Sequence, residues 1–246
     1  ANAQEKLEEQ VEILLGAWTS TSFSWESKHY SFPASVTLRP PPLQRPHPPL
    51  AHFRRLMTKA LRAQKSVFEE LGVTLAIETH FEFTTFELVR LFEMCDAPPG
   101  GYLGVCLDTM NVLTMLEDPV RATERILPWV VTTHVKDGAL LITDDGFVTF
   151  PTEAGTGIVN LTAIFERLST LKIPVNLCLE DLGGDFQVPI FDPSFLARFP
   201  DLTAVELAAL VKLSQKSQDL LDEGRIAVLD HKRWPEQCER RIKRGL

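Results

Sequence analysis

Four short apolar runs, each followed by a residue that can bind a metal ion, constrain this chain more than any other feature. The residues that end them are Glu78, Asp108, His134 and Glu180. The runs read Val-Thr-Leu-Ala-Ile, Leu-Gly-Val-Cys-Leu, Trp-Val-Val-Thr-Thr and Val-Asn-Leu-Cys-Leu. Continuous apolar runs of this length are typical of buried parallel strands. A single carboxylate after a strand is commonly a helix cap, so it is the fourfold recurrence that indicates a functional site.

Segments with helical spacing lie between these runs. Residues 84–94 carry apolar side chains at helical intervals, residues 119–126 follow Asp118, and residues 161–171 follow Asn160. Asp and Asn are favoured N-cap residues, and the proline after Asp118 suits the first helical position. Alternating strands and helices predict βα units and a parallel sheet. Because sites in such sheets lie at the carboxyl ends of the strands, the four ending residues are expected to converge.

The chemistry of these four residues predicts a metal site. Glu78, Asp108, His134 and Glu180 are the expected ligands. Three carboxylates and one imidazole, without a thiolate, favour Mn²⁺ or Mg²⁺, with Co²⁺ and Zn²⁺ as alternatives. Such a ligand set leaves coordination positions for a substrate's carbonyl and hydroxyl oxygens, and metal-assisted enolisation needs those positions.

The order of the strand endings resembles the xylose isomerase-like TIM-barrel superfamily, which includes sugar phosphate isomerases and epimerases. The resemblance covers about residues 54–217, and its motifs together are specific to the superfamily but not to one substrate. The motifs here are Glu78-Thr-His80, Asp108-Thr-Met-Asn111, His134-Val-Lys136-Asp137, Gly155-Thr-Gly157 and the final Glu180.

The resemblance implies an α/β fold of the TIM (β/α)8-barrel type and a reaction. The expected enzyme is a divalent-metal-dependent sugar isomerase or epimerase that transfers a proton next to a carbonyl through an enediolate. Glu78 and Glu180 would be its catalytic acid and base, and His80, Asn111 and Lys136 would bind the substrate. Asn111 departs from the pattern, since many family members have histidine there, and this departure indicates a different substrate or altered proton handling.

Three other functions fit parts of the sequence. A lyase, either a dehydratase or a decarboxylase, would use the same metal site on a sugar-derived keto acid. A truncated, inactive barrel would act as a binding module. A metal-dependent endonuclease is disfavoured, because it would need additional histidines and a basic groove, whereas the chain has 6 His and a net charge of −8. The acidic balance also argues against general binding of nucleic acids.

The organisation of the chain raises a question of strand number. We predict one barrel domain over residues 1–222, with a proline-rich loop at 27–49, and a charged, solvated C-terminal tail at 223–246. A helical extension that packs on a neighbour is the alternative for the tail. A full barrel needs about eight strands, yet few strand candidates precede residue 72. The barrel is therefore predicted to be incomplete or atypical on its N-terminal side. Further predicted elements are helices at 4–15, 50–71 and 202–221, a strand at 17–25, a hairpin within 138–153 and a long loop after Glu180.

Composition indicates where such a protein works. The 4 Cys form no C-x-x-C pair, which is typical of a reducing compartment. We see no signal peptide and no apolar run near the ~18 residues of a membrane span. These features predict a cytoplasmic enzyme that acts on a small-molecule sugar or keto acid, without nucleic-acid or membrane partners. A homodimer is compatible with the sequence.

Overall fold

The computed structural model describes residues 23–26, 31–36, 50–228 and 232–245. The chain divides into two compact units, Ala1–Pro46 and His47–Leu246. In the first unit, strands β1 (Phe23–Glu26) and β2 (Ser31–Val36) pair in antiparallel fashion. The predicted loop at 27–49 is therefore wrong over β2. The predicted helix at 4–15, most of the predicted strand at 17–25 and the rest of that loop lie outside the described residues.

The second unit alternates strands and helices over most of its length, as the sequence pattern predicts. Its elements in chain order are α1 (Leu50–Leu71), β3 (Leu75–Glu78), α2 (Thr85–Met94), β4 (Leu103–Asp108), α3 (Asn111–Thr114), α4 (Pro119–Ile126), β5 (Val130–Val135), β6 (Asp137–Thr143), β7 (Gly146–Thr152), α5 (Leu161–Leu168), β8 (Leu177–Leu179), β9 (Phe186–Val188), α6 (Pro193–Leu196), α7 (Ala204–Asp222) and α8 (Trp234–Gly245).

A parallel sheet carries the four strand endings. Its strand order is β3-β4-β5-β8, and each neighbouring pair is parallel. Strand β4, at the centre of the unit, is buried at every position, as its continuous apolar run predicts. Asp108 pairs with His134, and His134 pairs with Cys178, so the strands end at nearly the same level. The predicted α/β class with a parallel sheet is confirmed, with four parallel strands among the described residues.

A second, antiparallel sheet lies after the His134 strand. Strands β6 and β7 form the predicted hairpin, with Thr143 paired to Gly146 across its turn. Strand β9 adds to β7, with Phe147 opposite Val188. The prediction of an irregular loop after Glu180 is wrong over β9, because its backbone pairs with β7. Gly146 is required at the turn, since its φ is 135° and an added Cβ would lie 2.4 Å from the Val188 carbonyl oxygen.

The helix starts follow the capping residues. Asp118 Oδ1 accepts hydrogen bonds from the amides of Val120 (3.1 Å) and Arg121 (3.0 Å), and Asn160 Oδ1 accepts one from Ala163 (3.1 Å). Helix α3 ends at Thr114. A left-handed backbone at Leu116, with φ of 60°, is incompatible with continuing the helix.

Buried side chains of both sheets and the flanking helices form one hydrophobic cluster. Full burial of a Leu or Phe side chain contributes about 1.5–3 kcal/mol, so this cluster is the main support for the strand ends. Its largest fully buried members include Phe92, Leu103, Leu107, Phe147, Phe150 and Ile126. Among the residues that the structure describes, no helix is both long and apolar enough to cross a membrane.

A buried polar network joins three of the helices. Glu117, after α3, accepts hydrogen bonds from the amide of Thr85 (2.7 Å) and from the Arg125 guanidinium (2.6 Å). Arg125 also pairs with Glu206 on α7 at 3.1 Å. Burial raises the pKa of Glu117 to about 7, and the hydrogen bonds from Thr85 and the charge of Arg125 only partly oppose this effect.

The raised pKa predicts a pH-dependent stability. The folded chain keeps a proton on Glu117 at pH values where the unfolded chain, with a pKa of 4.5, has lost it. The free energy of unfolding should therefore fall as pH rises from about 4.5 to about 7, by roughly 3 kcal/mol from this group. Urea unfolding between pH 5 and pH 8 should show that Glu117→Gln loses this dependence. The exposed-site control Glu166→Gln should keep it, and an unchanged slope in Glu117→Gln would contradict the assignment.

The C-terminal segment is more ordered than the sequence indicated. Helix α8 occupies residues 234–245, and its Arg241 is buried against Asp181, with side chains 6% exposed on both partners. The prediction of a solvated segment is therefore wrong for this helix. The cause is a pairing between residues 60 positions apart, which no local pattern reveals. The predicted boundary between the barrel domain and the tail, after residue 222, stays a prediction.

Candidate active site

The structure brings together the four residues predicted to bind metal. One ligand atom from each of Glu78, Asp108, His134 and Glu180 lies within 4.8 Å of the others. The parallel register explains this convergence: Glu78 and Asp108 end their strands, His134 is the last residue but one of β5, and Glu180 directly follows β8. Their roles as ligands and catalysts stay predictions.

Asp108 holds the backbone turn that leads into α3 and is also part of the cluster. Its side chain is fully buried, and its Oδ1 accepts hydrogen bonds from the amides of Met110 (2.9 Å) and Asn111 (2.8 Å). Its Oδ2 lies 2.9 Å from Lys136 Nζ. Burial raises the pKa of Asp108, although Lys136 and the two amides oppose that rise. Asp108 therefore holds the turn into α3, and its role as a metal ligand stays a prediction.

Lys136 places a positive charge within the cluster. Its side chain is 7% exposed, and its Nζ lies 2.9 Å from Asp108 Oδ2 and 3.3 Å from Glu180 Oε2. Burial acts to lower the pKa of Lys136, but attraction to Asp108 and Glu180 outweighs it, so the pKa is raised. Thr109 fixes the backbone here, because its Oγ1 accepts from Lys136 N (2.9 Å) and donates to Lys136 O (2.5 Å).

His134 lies between the two glutamates. Its Nδ1 is 3.0 Å from Glu78 Oε1 and 3.3 Å from Glu180 Oε2. About a third of each glutamate side chain is exposed, 33% for Glu78 and 39% for Glu180. These two carboxylates are therefore accessible to a small molecule, whereas Asp108 lies beneath them.

The charge and hydrogen bonding of the cluster fit a divalent cation. Three carboxylates and the ammonium of Lys136 give −3 + 1 = −2 with neutral His134. Asp108 Oδ2 and Glu180 Oε2 are buried beside Lys136 but accept no well-aligned hydrogen bond from any described residue. Lys136 supplies one positive charge for three carboxylates, and buried carboxylate charge is costly unless further positive charge lies beside it. A hard divalent ion held by these four residues would supply that charge.

A cavity of about 210 Å³ opens above the cluster. This volume is below the ~300–1,000 Å³ typical of drug-sized ligands and suits a small substrate. Six of the seven predicted site residues line it, all but Asp108. The sequence analysis did not identify the apolar walls of the cavity. Nothing in the sequence around Phe81 and Phe186 indicates that their rings line a cavity. The lining consists of Glu78, His80, Phe81, Met110, Asn111, Thr114, His134, Lys136, Pro151, Glu180, Leu182 and Phe186.

The predicted substrate residues His80 and Asn111 have distinct environments. His80 Nδ1 lies 3.1 Å from Glu82 Oε2, and this hydrogen bond raises the pKa of His80 despite partial burial. Asn111 is buried, and its backbone amide is held by Asp108. The sequence analysis did not identify Glu82 as the partner of His80. The available signal was that Glu82 lies two residues after His80.

Asp137 organises the glycine loop beside the site. Its Oδ2 accepts hydrogen bonds from the amides of Gly155 (3.0 Å) and Gly157 (2.8 Å), and its Oδ1 accepts from Gly138 (2.8 Å) and Val159 (3.1 Å). Gly157 is needed for this approach, since an added Cβ would lie 2.4 Å from Asp137 Oδ1. The Gly155-Thr-Gly157 segment therefore surrounds the buried Asp137 carboxylate with backbone amides.

We expect Asp137→Asn to lower the free energy of unfolding by about 1–3 kcal/mol, because an amide nitrogen would face backbone donors and leave them unsatisfied. Urea denaturation of the purified variant measures this loss. Asp144→Asn, in the exposed β6–β7 turn, is the matched control and should not change stability. Equal stability of both variants would contradict the role given to Asp137.

Comparison with known proteins places these features in a wider context. The sequence model of the xylose isomerase-like TIM barrel family matches residues 28–194. A curated relative, the 3-oxo-isoapionate decarboxylase of Pectobacterium atrosepticum, is 28% identical over 123 residues, which are 49% of this chain and 43% of that protein. The match thus spans less than half of the relative's length.

Two solved structures are similar to part of this chain at low sequence identity. A xylose isomerase domain protein from Planctomyces limnophilus matches with a TM-score of 0.46 at 18% identity, over 72% of this chain and 58% of that one. A xylose isomerase-like TIM-barrel protein from Mycobacterium smegmatis, in complex with magnesium, matches with a TM-score of 0.47 at 18% identity. The match covers 68% of this chain and 55% of that one.

Proposed function

The chain belongs to the xylose isomerase-like TIM-barrel family, and from this premise we propose that it is a divalent-metal-dependent enzyme acting on a small sugar-derived carbonyl compound. The observation that carries the proposal is the convergence of Glu78, Asp108, His134 and Glu180 within 4.8 Å beside a small cavity. The common step is formation of an enolate next to a carbonyl. A divalent ion bound there would supply positive charge for the developing oxyanion.

The reaction we favour is decarboxylation of a 3-oxo sugar acid. The curated relative is named as a decarboxylase of such an acid, and the lyase alternative uses the same site. The bond between the carboxylate carbon and its neighbour breaks, CO₂ leaves, and the electron pair moves into the carbonyl to give an enolate. A proton then returns to carbon. General acid–base assistance at this step typically contributes ~10²–10⁴-fold.

The residues of the cavity suit these steps. Glu78 and Glu180 are accessible carboxyl groups that can deliver the proton to carbon. Lys136 is a buried cation on the cavity wall and would orient the substrate carboxylate or a hydroxyl group. Phe81 and Phe186, with ring centroids 4.7 Å apart, would exclude water from the enolate.

Isomerisation or epimerisation is the second candidate, and one observation favours it. Glu78 and Glu180 both lie against His134, at 3.0 and 3.3 Å from its Nδ1. Two accessible carboxyl groups beside one imidazole can remove a proton from a carbon and return a proton to it or its neighbour. This reaction conserves every substrate atom and releases no CO₂.

One assay separates these candidates. The purified chain with Mn²⁺ or Mg²⁺ is incubated in D₂O with a panel of 3-oxo sugar acids and ketoses. Release of CO₂ from a 3-oxo acid, with one deuterium incorporated, supports the decarboxylase. Incorporation of deuterium into a ketose, without CO₂, supports the isomerase. Failure to bind either metal would overturn both candidates and favour an inactive binding module.

A further inference from the structure

Helix α8 contacts both chain neighbours of Glu180. Arg241 binds Asp181 through two hydrogen bonds, Nε to Oδ2 at 2.6 Å and Nη2 to Oδ1 at 2.8 Å. Trp234 Nε1 donates a third, at 3.2 Å, to Asp181 Oδ2. On the other side of Glu180, Gly245 packs against Leu179, so closely that an added Cβ would lie 3.0 Å from the Leu179 side chain.

Few other contacts between described residues hold the backbone at this point. Strand β8 has three residues and pairs with β5, and no other described strand pairs with it. The Glu180 amide donates to the Val135 carbonyl at 3.0 Å, and the chain then leaves the parallel sheet. In extended backbone, neighbouring side chains point to opposite faces. Helix α8 can therefore hold residues 179 and 181 without occupying the cavity side of Glu180.

The docking of α8 depends on its ion pair rather than on apolar contact. Its sequence, Trp-Pro-Glu-Gln-Cys-Glu-Arg-Arg-Ile-Lys-Arg-Gly, is dominated by charged residues. Arg241 is the one buried residue among the described residues of this helix. A two-pronged Arg–carboxylate contact fixes orientation as well as distance. A second contact, Arg244 with Glu153 at 3.3 Å, attaches the same helix near the glycine loop.

We propose that Arg241 is a positioning residue, which acts through Asp181 to hold the Glu180 carboxylate in the four-residue cluster. The positioning follows from the contacts of α8, and its consequence for metal binding rests on the proposed function. Residues that orient metal ligands typically change metal affinity by ~10–100-fold when mutated. Arg241 lies at the low end of this range, because it acts through one intervening residue.

The first measurement is hydrogen exchange on the metal-free full-length chain. Arg241→Met and Asp181→Asn should speed exchange at Leu179 and Glu180, while exchange at Val105 in the buried strand β4 stays as in the wild type. Arg240→Met is the matched control, since Arg240 is exposed on the same helix and, among the described residues, binds only Gln237. If Arg241→Met does not fold, the near-isosteric Asp181→Asn carries the test.

The second measurement is titration with Mn²⁺ alone. Arg241→Met and Asp181→Asn should each weaken Mn²⁺ binding about tenfold. The Mn²⁺ affinity of Arg241→Lys should lie between theirs and that of the wild type. Arg240→Met should bind Mn²⁺ with the wild-type affinity. Unchanged exchange at Leu179 and Glu180 would overturn the proposal, as would faster exchange that includes Val105. Faster local exchange in a protein whose wild type binds no Mn²⁺ would support the positioning and overturn the metal-dependent function instead.

Discussion

Glu180→Gln and Glu78→Gln are each expected to lower kcat by about 10²–10⁴-fold, the usual contribution of a general acid or base. Each change removes a carboxyl group that can carry the transferred proton. It also reduces the excess negative charge of the cluster from −2 to −1, which should weaken binding of a divalent cation. Turnover with saturating Mn²⁺, measured beside Mn²⁺ titration of each variant, separates loss of proton transfer from loss of metal.

The control for these variants is Glu166→Gln. Glu166 lies on α5 with a side chain that is 68% exposed. Replacing its carboxylate with the glutamine amide should therefore leave kcat and metal affinity unchanged. Full turnover in both Glu78→Gln and Glu180→Gln would contradict the catalytic roles. Full turnover in only one of them would assign proton transfer to the other and favour the decarboxylase, which needs a single proton donor, over the isomerase.

Lys136→Met should lower the free energy of unfolding of the metal-free protein by about 3–5 kcal/mol, the usual cost of leaving one partner of a buried ion pair alone. Asp108 is fully buried, and its Oδ2 lies 2.9 Å from Lys136 Nζ. Mn²⁺ should restore part of this loss in the variant, since it brings positive charge to the same carboxylates. Urea unfolding in EDTA and in Mn²⁺ measures both effects.

Lys172→Met is the matched control, because Lys172 is exposed, and it should change stability in neither condition. If Lys136→Met is as stable as the wild type in EDTA, Asp108 takes up a proton when Lys136 is absent, a response that its raised pKa favours. The stability of the variant should then fall as pH rises, because deprotonation would leave the buried carboxylate without a cation.

Prediction from sequence succeeded where the signal was local. The apolar runs ending at Glu78, Asp108 and His134 lie in the parallel sheet, and the cap residues Asp118 and Asn160 start helices as expected. The same reasoning did not reveal β2 or β9. A strand of three to six residues in a segment rich in proline or glycine has no clear period, and its pairing partner decides whether it forms.

The order of residues along the chain specifies the parallel α/β class and the set of side chains at the strand ends, because apolar runs and residue types are properties of consecutive residues. How those side chains are supported depends on the folded arrangement. The burial of Lys136 against Asp108, the enclosure of Asp137 by the glycine loop, and the attachment of Arg241 to Asp181 all join distant residues. Such contacts depend on strand register and helix docking, which long-range packing sets and no local pattern encodes.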